Sequence, residues 1–100
     1  MNWEIEGFLE IENGSLSIDG VAATELAERF GTPLFVFSEK RIKHNVARLQ
    51  LAGKNVRGAL KICYAAKANS TMAILRVVRE AGADLEVNSG GELWKALKIG

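Results

Sequence analysis

Lys67 lies in the run Tyr64-Ala65-Ala66-Lys67-Ala68-Asn69, at the end of an apolar stretch, Leu60 to Ala66, that reads as a strand. The C-terminal end of a strand in a parallel α/β fold is the edge where ligands bind. A desolvated lysine there has a lowered pKa, and its neutral amine can form a Schiff base with an aldehyde. Alternation along the strand puts Lys67, Ala65 and Cys63 on one face, and the small Ala65 leaves room for a flat ring beside the amine. Position alone favours an ordinary exposed loop lysine, because lysine is a common residue.

Glu86 and Glu92 are the carboxylates that could act with it. Glu86 falls on the next strand, where a buried carboxylate needs a partner, and Lys67 on the neighbouring strand is a candidate. Ser89-Gly90-Gly91-Glu92 has the spacing of a capping box ahead of Leu93 and Leu97, and that role can coexist with a functional one. Cys63 reads as a small core residue, His44 as a solvated residue on an amphipathic helix, and Trp3 and Trp94 as packing residues. Gly90-Gly91 alone is weak support for phosphate binding. One cysteine excludes an intrachain disulfide and a cysteine metal cluster, and no metal site is expected.

The elements that must position these residues follow from periodicity. Leu9 and Ile11 alternate with Glu10 and Glu12, Asn13-Gly14 follows, and Leu16 and Ile18 alternate with Ser15, Ser17 and Asp19, which predicts a β-hairpin. A helix follows over Ala22 to Phe30, with Leu26 and Phe30 on one face and Gly31 at its end. Leu34-Phe35-Val36-Phe37 reads as a buried strand. A helix from Glu39 to Leu51 carries Ile42, Val46 and Leu49 on one side. After the strand at 60–66 come a helix over Thr71 to Ala81 stopped by Gly82, a strand over Asp84 to Asn88, and a helix over Gly91 to Lys98. Strand and helix alternating three times predict parallel βαβ units, which belong to an open doubly wound sheet or to a closed (β/α)₈ barrel. Three units are too few for a barrel of about 250 residues. Gly100 falls where a further strand is expected, so the sequence reads as part of a longer protein.

Composition excludes several classes. Apolar residues make up 48% and charged residues 25%, the globular average. Thirteen basic against twelve acidic residues leave a charge of +1, with no electrostatic case for nucleic acid or an anionic membrane. The acidic start lacks the marks of a secretory signal, and no apolar run approaches the ~20 residues of a membrane helix. A cytoplasmic protein is the expectation.

Residues 31 to 100 resemble the start of the barrel of the diaminopimelate, ornithine and arginine decarboxylase family, the fold-type III pyridoxal-phosphate-dependent decarboxylases. Gly31-Thr32-Pro33-Leu34-Phe35-Val36-Phe37 is similar to the entry strand. Cys63 to Ser70 is similar to the cofactor-lysine motif, and Gly82 to Leu93 to the next strand and loop. The hairpin and first helix resemble the opening of diaminopimelate decarboxylases. The resemblance implies a (β/α)₈ TIM-like barrel entered at residues 21–100, with residues 1–20 belonging to a separate β domain. It implies pyridoxal 5′-phosphate on Lys67, with Ala65, Glu86 and Glu92 near the cofactor, and a homodimer with shared active sites. Ala68, where ornithine decarboxylases carry Cys, and Ser89 to Glu92 point to meso-diaminopimelate as substrate and lysine as product. Another basic amino acid (ornithine, arginine or lysine) or a non-catalytic barrel homologue are the alternatives. Glu86 departs from the Asp common in relatives, and Asn88 from an apolar residue. The phosphate-binding glycines, the acid at the pyridine nitrogen and a cysteine from a second subunit belong further downstream, so residues 1–100 by themselves are expected to be inactive.

Overall fold

The computed structural model describes residues 7–100, so Trp3 lies outside the described residues. The fold is mixed α/β, and the chain divides into two compact units, residues 1–41 and 42–100.

In the first unit, β1 (Leu9–Glu12), β2 (Ser15–Ile18) and β3 (Val21–Ala22) form an antiparallel sheet in that order. Asn13 and Gly14 have φ of 52° and 77°, the pair of left-handed conformations of a type I′ turn, which closes the expected hairpin with Glu12 opposite Ser15. The same chemistry recurs at Asp19-Gly20, with φ of 51° and 77°, and folds Val21 back opposite Ile18. Asp-Gly is itself a turn signal, and Ala22, expected to open the helix, pairs with Ser17. The helix α1 instead spans Ala23–Phe30 and packs on β2 and β3. Gly31, at φ 81°, ends it by donating its N–H to the Ala27 carbonyl at 2.8 Å. Leu9 pairs with Ile18 and Ile11 with Leu16 as expected, yet Ile11 and Leu16 are exposed and the buried residue of β2 is Ser17, on the opposite face.

The segment Leu34-Phe35-Val36-Phe37 is a correction. It joins no ladder among the described residues, and Phe35 is 89% exposed. Its aromatic and β-branched residues suit a pleated surface, but a strand exists only where neighbouring backbone takes up its N–H and C=O groups.

The helix α2 (Glu39–Gly53) starts where Ser38 Oγ accepts the Arg41 N–H at 2.9 Å. In the second unit β4 (Cys63–Ala65) and β5 (Asp84–Glu86) run parallel, with Cys63 opposite Asp84, Tyr64 opposite Leu85 and Ala65 opposite Glu86. The helix α3 (Met72–Glu80) connects them, and α4 (Gly90–Lys98) follows β5. Both strands are shorter than expected because each has a ladder on one side only among the described residues.

The core is the inner face of α3. Leu75 is fully buried and Val78 nearly so. Val78 clusters with Val46 and Ala83, and Leu75 with Ala66 and Ile99, while Tyr64 and Leu85 pack against both clusters. Ile42 and Val46 supply the inward side of α2 as expected, whereas Leu49 is 54% exposed. Gly82 stops α3 at φ 93°, and a Cβ there would stand 2.8 Å from Gln50 Nε2, which donates to the Ala81 carbonyl at 3.2 Å. No helix among the described residues is long and apolar enough to cross a membrane. At the N-terminal end of β4, Lys61 Nζ lies 3.0 Å from Asp84 Oδ2. This hydrogen bond, then the charge of Asp84, then that of Cys63, hold the Lys61 amine above its ordinary pKa.

Leu75→Ala should lower stability by about 2–5 kcal/mol through lost burial and a residual cavity, read as a fall in the urea midpoint. An unchanged midpoint would show that Leu75 is not the core anchor. The Lys61–Asp84 pair should give its small, solvent-screened stabilisation fully below about pH 10 and lose it as pH rises through the raised Lys61 value. Thermal melts across that range should show a loss that is missing in Asp84→Asn; equal profiles would remove the pair's contribution.

Candidate active site at the C-terminal edge of β4 and β5

The chain leaves β4 after Ala65 and makes one 3₁₀ turn, Ala66–Ala68, before Asn69 returns to extended backbone. Ala66 is fully buried in the Leu75 and Ile99 cluster, while Lys67 and Ala68 face solvent. Lys67 therefore sits at the expected edge, but on a turn. Strand alternation ends at Ala65, so the expected common face of Lys67, Ala65 and Cys63 does not extend to the lysine. Ala65 is half-buried. Cys63 is exposed, contrary to its expected place in the core, because no described element covers its side of β4.

The backbone that follows the lysine is fastened at residues 69–71. Tyr64 donates its hydroxyl to the Asn69 carbonyl at 3.2 Å, and Asn69 Oδ1 accepts the Thr71 N–H at 3.0 Å. Lys95 Nζ of α4 donates to Ser70 Oγ at 3.0 Å. The Asn69-x-Thr71 contact is an Asx turn that local sequence could have revealed. The Lys95 contact spans 25 residues and has no local signal. Lys67 itself has no hydrogen-bond or ion-pair partner among the described residues, in contrast to Lys61 at the other end of the same strand.

The neighbouring loop follows β5. Glu86 is opposite Ala65 in the ladder, yet it is exposed and does not pair with Lys67; its Oε2 accepts from Asn88 Nδ2 at 3.1 Å. Exposure removes the desolvation that would have demanded a cationic partner. Ser89 caps α4, its Oγ accepting the Glu92 N–H at 3.2 Å. Glu92 Oε2 accepts from the Ser89 hydroxyl and from the Asn88 N–H, both at 3.1 Å. The capping box thus forms as expected, with its return arm one residue earlier than the standard cap N–H. Glu92 Oε1 is buried without a hydrogen-bond partner.

The remaining candidates stay apart from this edge. His44 is exposed on α2, as expected. Trp94 was expected to pack but is 57% exposed, with the Lys98 ammonium 5.7 Å from its ring centroid. No cluster of three or more metal-ligating side chains occurs among the described residues. The edge offers a free primary amine between two alanines, with two carboxylates on the adjoining strand and helix. That donor set suits an aldehyde cofactor, which needs an unengaged amine and space free of bulky neighbours.

A family model described as "Pyridoxal-dependent decarboxylase, pyridoxal binding domain" matches residues 40–100. The chain is 43% identical over 97 residues to a diaminopimelate decarboxylase of Aquifex aeolicus, covering 97% of this chain and 22% of the relative. It is 45% identical over 92 residues to one of Methanocaldococcus jannaschii, covering 88% and 21%. The crystal structure of the M. jannaschii diaminopimelate decarboxylase in co-complex with L-lysine superposes with a TM-score of 0.84 at 42% identity, over 92% of this chain and 22% of that one. The chain spans about a fifth of the length of these curated relatives. With the match over residues 40–100 and these likenesses in hand, the chain belongs to the pyridoxal-dependent decarboxylase family.

Proposed function

We propose that the protein containing these residues decarboxylates meso-diaminopimelate to lysine, with pyridoxal phosphate held on Lys67. The observation that carries this reading is the partnerless Lys67 amine on a fastened turn at the C-terminal edge of a parallel strand pair, in a chain of a pyridoxal-binding family. Diaminopimelate as substrate is supported by the relatives' names and by Ala68 and the Ser89-Gly90-Gly91-Glu92 run.

Pyridoxal phosphate, when bound, supplies a conjugated ring that takes up the electrons left as carbon dioxide departs. Lys67 would hold the cofactor through its Nζ, whose condensation with the aldehyde would release water. Ala65 at the end of β4, with Glu86 on β5 and Glu92 on α4, would line the same edge, the two carboxylates supplying negative charge there. On this reading residues 21–100 contribute the first strands and helices of a (β/α)₈ barrel, and residues 1–20 join a β domain. A homodimer with shared active sites completes the catalytic set.

In the full-length protein loaded with pyridoxal phosphate, Lys67→Ala should abolish the yellow absorbance and the borohydride-trapped adduct on residue 67, and lower turnover by several orders of magnitude. An adduct on another lysine would refute the assignment. Carbon dioxide should be released from meso-diaminopimelate in preference to ornithine or arginine; release from the latter two alone would overturn the substrate.

A further inference from the structure

Two loops meet the candidate site, and both are fastened to one helix. The loop after β5 is held by the Ser89 and Glu92 cap at the first turn of α4. The loop after β4 is held two-thirds of the way along the same helix, where Lys95 Nζ reaches Ser70 Oγ at 3.0 Å. We infer that Lys95 is a positioning residue for Lys67, acting through Ser70 to hold the turn that presents the reactive amine. The inference rests on the reading of Lys67 as the cofactor lysine.

The geometry separates Lys95 from the other lysines described. Lys61 is an exposed lysine paired with a carboxylate, and Lys98 lies over the Trp94 ring; these are the usual fates of surface lysines. Lys95 is half-buried, as is Ser70, and no carboxylate pairs with its ammonium among the described residues. A partly desolvated ammonium that donates to a neutral hydroxyl gains no ion-pair energy from that contact, but a charged donor makes a stronger bond than a neutral one. The bond fixes the residue three positions after Lys67. On the other side of Lys67, Ala66 is fully buried. Lys67 is thus exposed between a buried Ala66 and a hydrogen-bonded Ser70, which suits a nucleophile that must be held to within about 0.5 Å of its productive position.

The test uses the full-length protein, stripped of and titrated with pyridoxal phosphate, following the visible band. Lys95→Met and Ser70→Ala should each weaken cofactor affinity by about tenfold, the loss of one charge-assisted hydrogen bond. The double variant should be no weaker than the weaker single, because both remove the same contact. Lys95→Arg should retain most of the affinity, and Lys98→Met should match the unaltered protein. Affinity unchanged in Ser70→Ala, or effects of the two singles that simply add, would overturn the role. Ser70→Ala removes a single oxygen and carries the test if Lys95→Met fails to fold. A visible band that survives Lys67→Ala would remove the underlying reading instead, whatever Lys95→Met does.

Discussion

Burial of Ala66 in one cluster with Leu75 and Ile99 is the constraint on which the site depends. It pins the first residue of the 3₁₀ turn to the inner face of α3, and so decides where the chain leaves β4. Ala66 is fully buried in that cluster, while the next residue of the turn faces solvent. That next residue is Lys67. The same cluster includes Ile99 just beyond α4, so the packing that shapes the turn also seats the helix carrying Lys95 and Glu92.

The two ends of β4 show how the fold sorts like residues into unlike roles. Lys61, just before the N-terminal end, forms an exposed ion pair with Asp84 of the neighbouring strand. Lys67, at the C-terminal end, is left without a partner while its surrounding backbone is tied down by Tyr64, Asn69, Thr71 and Ser70. On the β5 side, Glu92 divides its carboxylate. One oxygen completes the helix cap and the other is buried without a partner.

Much of the fold was legible in local sequence, wherever the cause was local. Asn13-Gly14 demands left-handed backbone, Gly31 and Gly82 end helices at positive φ, and Ser89 with Glu92 makes a cap from side chains three residues apart. The helices were legible through the spacing of Ile42 and Val46 and of Leu75 and Val78. Leu34 to Phe37, Leu49, Cys63 and Trp94 were misjudged for one reason. Each is apolar enough to be buried, but burial needs a covering surface, and hydrophobicity does not say whether one is present.

The sequence by itself determined the family and the identity of the candidate lysine, since both rest on residue types in fixed order: Tyr64 to Ser70, then Gly82 to Leu93. It also determined the caps and turns that bracket the elements. Only the tertiary structure decided that Lys67 stands on a turn and not on the strand, that Glu86 pairs with Asn88 and not with the lysine, and that Lys95 reaches Ser70. The physical reason is range. Turn and cap energies are set by neighbours a few residues away, whereas the direction of a side chain at a strand end is set by packing between segments 20 or more residues apart, as Lys95 and Ser70 are.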